Sequence, residues 1–476
     1  MKVKSSAYLS EIKPVLLSLR DRLLEEYPYV SILATDSVAR QYSVSRTVTS
    51  VGMTGMMSGR GFVVKVYDGS GYGEYSFNEI SQEHIEGIAL KIREGLIPMA
   101  EQLPEGVSRS VYAMLEDEPM DFTGSTEYEI DPQEYGDEAI LRELTEISET
   151  GRAYSEKVLD CGVFVNYQKY SKLFLSRNRT MEQNVMWMAG GFSVMASRGE
   201  EIKRSYRSFS NLGGAEVLSR MKDGVCDTAR VALELLDSQP ITPGEYTCVC
   251  APEVTGMIVH EAFGHGVEMD MFVKDRAQAR KFIDRQVASE LVTMHDGGAA
   301  AREVASYFFD DEGVPAKDTV VIDHGILKAG ISDAQSAMYL GTAPTGNGRR
   351  ESYQRKAYTR MTNTFFEGGS DKVEDMIASI PYGFLLEEPS SGMEDPKNWG
   401  IQCMVSIARE IRDGKLTGRI FSPVVLTGYV PDLLKSISMV SEKVELGGGG
   451  MCGKGYKEWV KVSDGGPYIK ARIRLG

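Results

Sequence analysis

The chain has 476 residues, 42% hydrophobic and 25% charged, with a formal net charge of −15. That length exceeds what one hydrophobic core usually serves, so two or three domains are expected, and the acidic balance disfavours direct binding to nucleic-acid phosphates. No run approaches the roughly 18 apolar residues of a membrane span, the first residues lack the apolar core of a secretory signal, and six unpatterned cysteines make no disulfide framework; a reducing cytoplasm, away from membranes, is the expected setting.

Along the chain, Ile12, Leu16, Leu19 and Leu23 follow helical spacing with Arg20, Asp21 and Arg22 between them, which predicts an amphipathic, core-packing helix. Residues 42–77 are β-rich. Val44, Val48 and Val51 precede Gly-rich turns, 61–67 reads as a strand and 68–73 as a hairpin connection. A helix with Ile85, Ile88, Leu90 and Ile92 follows, then an acidic stretch at Glu116, Asp117, Glu118 and Pro119 that reads as a solvated loop. A second long helix contains Ile140, Leu141, Leu144 and Ile147, and the alternating segments 162–167 and 172–176 extend a sheet. The predicted class is α+β, with an N-terminal α/β-sheet domain over 1–240.

Residues 236–244 combine proline, glycine and polar residues and mark a domain boundary. The second domain, 241–476, is expected to be β-rich and to carry the metal-hydrolase chemistry. Its short apolar runs include 320–327 and 418–421. Cys161, Cys248, Cys250 and Cys403 read as buried strand thiols and Cys226 as a helical position. His295 and His324 fall at turn-like sites and take structural or solvated roles. The basic residues of 469–474 read as an edge strand carrying solubilising charges.

The chemistry-bearing segment is Val-His-Glu-Ala-Phe-Gly-His-Gly over 259–266, in which His260 and His265 bracket Glu261. In the familiar H-E-x-x-H pattern the histidines are four apart and share a helix face. Here they are five apart, which on a regular α-helix separates them by about 140°, too wide for one ion. A π-turn brings them back to nearly one face, so a distorted helix is predicted. A catalytic zinc usually takes three protein ligands and leaves one position open for water. Cys452, in Gly-Gly-Gly-Gly-Met-Cys-Gly-Lys-Gly over 447–455, is the best third candidate, with glycines that permit close approach and Lys454 to favour the thiolate.

Three segments carry a resemblance: residues 260–270 (HEAFGHGVEMD), 344–353 followed by 360–364 (PTGNGRRESY and RMTNT), and 437–454. The chain resembles the TldD/PmbA metallopeptidases, densely so in the C-terminal half. The N-terminal half is similar mainly in length, order of elements and its Gly-rich β segment near 52–62. The resemblance implies a zinc-dependent peptidase acting on unfolded or extended peptides, with His260, His265 and Cys452 as zinc ligands and Glu261 as general base on a zinc-bound water. It also implies a dimer, either of identical chains or with a related subunit lacking HExxxH, in which this chain is the catalytic member.

Around that centre, Arg349 and Arg350 are candidate substrate clamps or structural arginines, and Glu268 and Asp270 either hold the histidines from behind or form a solvated helix end. A β-rich domain suggests that extended peptides add to a sheet edge beside the metal. Two alternative functions are a deformylase-like amidohydrolase and a non-catalytic peptide-binding subunit with structural zinc.

Overall fold

The computed structural model describes residues 1–53, 57–101 and 111–476, with backbone alone for 96–101. Residues 54–56 of the Gly-rich β segment lie outside the described residues. In the N-terminal half, α1 (Ala7–Leu24) starts where Ser6 accepts a hydrogen bond from the Leu9 amide, and it buries Leu9, Leu16, Leu19 and Leu23. The strands β1 (Tyr29–Val44), β2 (Thr49–Met53), β3 (Gly59–Tyr67), β4 (Tyr72–Phe77), β5 (Met120–Ser125), β6 (Val158–Leu175), β7 (Arg179–Arg198) and β8 (Glu201–Asn211) form one sheet. Its order is β4-β3-β1-β6-β7-β5, with β2 added to β1 and β8 to β7. The segments 162–167 and 172–176 fall on the single strand β6, apart from Ser176, which lies just past its end.

Alternation along these strands gives the sheet two different faces. Val30, Ile32 and Ala34 of β1, with Leu173 and Leu175 of β6, pack under α1 and α2 (Ile85–Glu101). Farther along the same face, Tyr42, Val44, Val163 and Val165 pack under α4 (Asp137–Ala153) and α5 (Val217–Glu234), beyond the short α3 (Pro132–Tyr135). The opposite face turns to the C-terminal half, where Leu33 and Phe174 meet Phe309, and Val185 and Trp187 meet Val304. Leu90 of α2 is exposed. One expectation changes in detail: Asp117 of the acidic stretch accepts hydrogen bonds from Ser176 Oγ and the Asn178 amide, so it braces the β6–β7 turn rather than being merely solvated.

The C-terminal half is β-rich, as predicted. One sheet contains β9 (Gly244–Cys250), β16 (Tyr382–Asp395), β17 (Gly400–Arg412), β18 (Lys415–Phe421), β19 (Val424–Tyr429), β20 (Met439–Val440) and β25 (Ile469–Leu475). Because β16 pairs with both β9 and β17, the strands β16, β9, β25, β19 and β17 close into a barrel, which removes their free edges. This overturns the edge-strand reading of the basic tail: β25 pairs with β9 on one side and with β19 and β20 on the other. Its charges alternate with buried Ile469, Ala471, Ile473 and Leu475, so they mark a solvent-facing side rather than an edge. Cys248, Cys250 and Cys403 are buried in this core.

A second sheet runs β12-β11-β10-β15-β24-β21, made of β10 (Met294–Gly297), β11 (Thr319–Asp323), β12 (Ile326–Leu327), β15 (Asn363–Phe366), β21 (Glu445–Gly447) and β24 (Ser463–Gly466). Two small ribbons complete it, β13 (Gly348–Arg349) with β14 (Tyr358–Thr359), and β22 (Met451–Lys454) with β23 (Lys457–Lys461). His295 lies in strand β10 rather than a turn, held by Asp318 and Glu367; His324 is exposed in a turn beside Asp323. Both are structural or solvated.

Candidate metal centre

Pro252 opens the helix α6 (Pro252–Met257), which continues as a π-helical turn over Ile258–Gly264. The amide of His265 donates to the carbonyl of His260, the five-residue bond that the spacing demanded. The two imidazoles lie with ring centroids 5.0 Å apart and planes at 87°. Glycine at 264 is required, because a Cβ there would stand 2.2 Å from Met361 Sδ.

Cys452 arrives on β22. Its Sγ lies 3.3 Å from His260 Nε2 and 3.4 Å from His265 Nε2, and all three donor atoms lie within 4.8 Å of one another. Tetrahedral zinc with ordinary Zn–N and Zn–S bonds holds nitrogen and sulfur about 3.5 Å apart. The residues therefore fit zinc. Each imidazole turns its other nitrogen to a carboxylate: His265 Nδ1 is 3.5 Å from Glu268 Oε2 and His260 Nδ1 is 3.8 Å from Asp464 Oδ2. Both Nδ1 atoms are buried without a hydrogen bond at these distances, and tightening onto those carboxylates is how histidine ligands are usually oriented.

Electrostatics favour the metal-binding forms of the imidazoles. Burial pulls His265 down to about 4, against the pull of Glu268, and lowers His260 too, helped by its neighbour His265. Burial pushes the Cys452 thiol up to about 11, with the Arg360 guanidinium working against it. A bound dication would reverse that preference outright.

The cation at the thiol is Arg360, which sequence reasoning missed. Its Nη2 donates to Cys452 Sγ at 3.0 Å and to the Cys452 carbonyl at 2.9 Å. Lys454, expected in that place, instead reaches Glu394 at 3.5 Å. Glu268 is fully buried between Lys457, at 2.7 Å, and Arg360, at 3.6 Å, and Lys457 also holds Asp270 at 2.8 Å. Of the two acids singled out from sequence, Glu268 braces His265 and Asp270 braces Lys457. Asp296 Oδ1 accepts from Asn347 Nδ2 at 2.7 Å and from Thr362 Oγ1 at 2.8 Å, and Oδ2 from Thr364 Oγ1 at 2.5 Å, which ties together the segment presenting Arg360. A lone arginine in Tyr-Thr-Arg-Met-Thr-Asn-Thr was the available signal for Arg360; Lys457 had none.

Arg349 and Arg350 both make contacts within the protein, away from the metal-donor cluster. Arg350 grips Glu74 of β4 at 2.6 and 3.0 Å, and Arg349 donates to the carbonyls of Met361 and Lys461, both at 2.6 Å. Glu261 sits on the π-turn against Gly392 of β16, where a Cβ would stand 2.3 Å from its Cγ. Burial raises its carboxyl above the ordinary value, with Lys454 acting in the opposite sense.

Residues 243–473 match the PmbA/TldA metallopeptidase C-terminal domain. The chain is 30% identical over 311 residues to a metalloprotease of Methanothermobacter thermautotrophicus, covering 65% of this chain and 67% of that one. The chain belongs to the PmbA/TldD metallopeptidase family. It is 37% identical over 248 residues to the metalloprotease TldD homolog of Buchnera aphidicola, covering 51% of this chain and 50% of that one. Against the zinc metalloprotease TldD homolog of Saccharolobus solfataricus it is 30% identical over 249 residues, covering 52% and 55%. The chain thus spans about half the length of these two family members. Its fold is similar to that of TldE from Thermococcus kodakarensis, with a TM-score of 0.72 at 17% identity, covering 97% of this chain and 99% of that one.

Proposed function

We propose that this family member is a zinc-dependent peptidase that hydrolyses unfolded or extended peptides, with His260, His265 and Cys452 as zinc ligands and Glu261 as general base. The observation that carries this reading is the convergence of three buried donor atoms, brought from the π-turn and β22, beside a carboxylate on the same turn. Zinc, when bound, supplies a Lewis acid that polarises the scissile carbonyl and acidifies a coordinated water. Glu261 takes the proton of the attacking water and delivers it to the leaving amine nitrogen. Burial raises its pKa, which favours uptake of that proton. Glu268 and Asp464 orient the imidazoles, and Arg360 orients the sulfur.

The preference for extended substrates is supported by β21, which among the described residues pairs with β24 alone and ends its sheet. Its residues border a groove of about 950 Å³ whose wall includes Asp464, the neighbour of His260. Main-chain bonding to such an edge selects extended backbone with little regard for sequence. Equal rates on matched folded and unfolded substrates would sink that part of the reading. A dimer with an identical or a TldE-like subunit is proposed from the family and from the fold likeness to TldE. We assign 1–240 and 241–476 as its domains. Among the described residues no helix is long and apolar enough to cross a membrane; the free cysteines support a reducing compartment, the cytoplasm.

The deciding experiment is cleavage of an unstructured peptide library by zinc-loaded protein and by Glu261→Gln, with zinc content checked in both. Internal cleavage by the parent alone is expected. No cleavage by the parent at stoichiometric zinc would turn the reading to a peptide-binding subunit with structural zinc, and release of a small acyl group without internal cleavage would turn it to a deformylase-like amidohydrolase.

A further inference from the structure

A second cavity, of about 450 Å³, lies where the polar face of the N-terminal sheet meets the C-terminal half. The β22–β23 ribbon is one of its walls. Cys452 and Val460, partners across that ribbon, belong to the C-terminal core, and Met451, Trp459, Val460 and Lys461 line the cavity. Nothing in the proposed peptidase mechanism uses this space.

Its charges do not balance. Of the cations lining it, Lys172, Arg350, Arg60 and Arg355 pair with Asp311, Glu74, Asp36 and Glu351. Among the described residues Lys461 and Arg349 make no direct ion pair: Glu303 and Asp464 act on Lys461 only from beyond contact distance, and the lining carboxylate Asp310 is held by the backbone amides of Glu312, Val314 and Gly348. The Lys461 ammonium donates to the Gly450 carbonyl at 3.1 Å and stands 4.8 Å from the centre of the Trp187 ring. Arg349 spends both Nη atoms on backbone carbonyls and lies 5.5 Å over the Tyr307 ring. Carbonyls and ring faces solvate a cation without neutralising it. Lys461 is only 7% exposed, and burial pulls its pKa down to about 7. A buried cation is ordinarily held by a contacting counter-ion, and here a polar cavity adjoins two cationic side chains without one in direct contact. The volume is that of a small-molecule site, and the Trp187 and Trp459 indoles give it aromatic walls.

We propose that this cavity binds a small organic anion, a carboxylate or phosphate monoester with an aromatic body, whose charge is taken by Lys461 and Arg349 and whose ring lies against the two indoles. The site is independent of the metal centre and of the peptidase reading.

Two of the three tryptophans line the cavity and the third, Trp399, is buried in the C-terminal core, so intrinsic fluorescence reports occupancy. The zinc-loaded full chain is titrated with hippurate, with phenyl phosphate and with the neutral hippuramide. A saturable change with one or both anions and none with the amide is expected; which anion binds tells carboxylate from phosphate. Lys461→Met should weaken binding by about tenfold or more, and Lys461→Arg should retain it, since a charge-assisted contact is removed in one and kept in the other. The idea is overturned if neither anion binds, if the amide binds as well as the acid, if Lys461→Met binds like the parent, or if binding follows zinc loading and so belongs to the metal centre. Should Lys461→Met fail to fold, the acid-against-amide comparison in the parent and loss of the signal in Trp459→Phe decide.

Discussion

Two groups of buried thiols share this half of the molecule and meet different fates. Cys248, Cys250 and Cys403 lie in the barrel core, where burial raises each of them, Cys403 to about 12. Cys452 is buried almost as well, yet it faces two imidazoles, and Arg360 donates to its sulfur. Burial alone makes an inert thiol; burial beside a cation and two nitrogen donors makes a candidate metal ligand. The same contrast separates Glu268, held between Lys457 and Arg360, from Glu388, whose carboxylate accepts from Ser205 Oγ and the Tyr206 amide, has no cation partner among the described residues, and rises to about 7.

The sharpest way to break the comparison is to exchange the two kinds of thiol. Cys452→Ala should abolish stoichiometric zinc, read by metal analysis. Cys250→Ala should keep zinc and cost about 1–3 kcal/mol in a denaturant melt, the usual result of a small core truncation. Zinc loss in both would mean that the barrel thiols matter to the centre. Next in size, Glu261→Gln should retain zinc while peptide cleavage falls by about 10²-fold or more, the range for removal of a general base.

Arg360→Gln tests whether the cation is what distinguishes Cys452. Zinc affinity, measured by chelator competition, should fall by about 10–100-fold, as for other residues that orient a ligand. The thiolate-to-metal charge-transfer band of the cobalt-substituted protein should shift as well, which a general loss of stability would not produce. Gly392→Ala should lower cleavage more mildly with zinc retained, because the added methyl meets Glu261 rather than a ligand.

The smallest expected effect concerns Glu388, the carboxylate without a cation. Its folded pKa is raised from an ordinary 4.5 to about 7 by burial. The folded state therefore binds the proton more tightly than the unfolded one, and stability is lost as pH rises from the lower value through the upper. Glu388→Gln should flatten that part of a melting-temperature profile against pH; an unchanged slope would show that the group titrates normally.

The His260 and His265 pair was legible because a five-residue spacing and a shared ion together demand a π-turn, and both facts are local. The helices carrying Leu16, Ile88 and Ile140 were legible for the same reason, since periodicity records which face is buried. The tail misled because alternating Lys and Arg mark a solvated side equally in an edge strand and in a barrel strand, and only pairing partners distinguish them.

By itself, then, the order of residues determined the local geometry of the histidine turn, the helical faces and the α+β class, all of which arise from neighbours a few positions apart. Tertiary structure alone decided that Arg360, 92 positions from Cys452, would donate to its sulfur, that Lys457 would pair with Glu268 across 189 positions, and that Lys461 would stand against the Gly450 carbonyl and the Trp187 ring. Electrostatic partnership depends on distance in space, and no period or spacing in the chain encodes it.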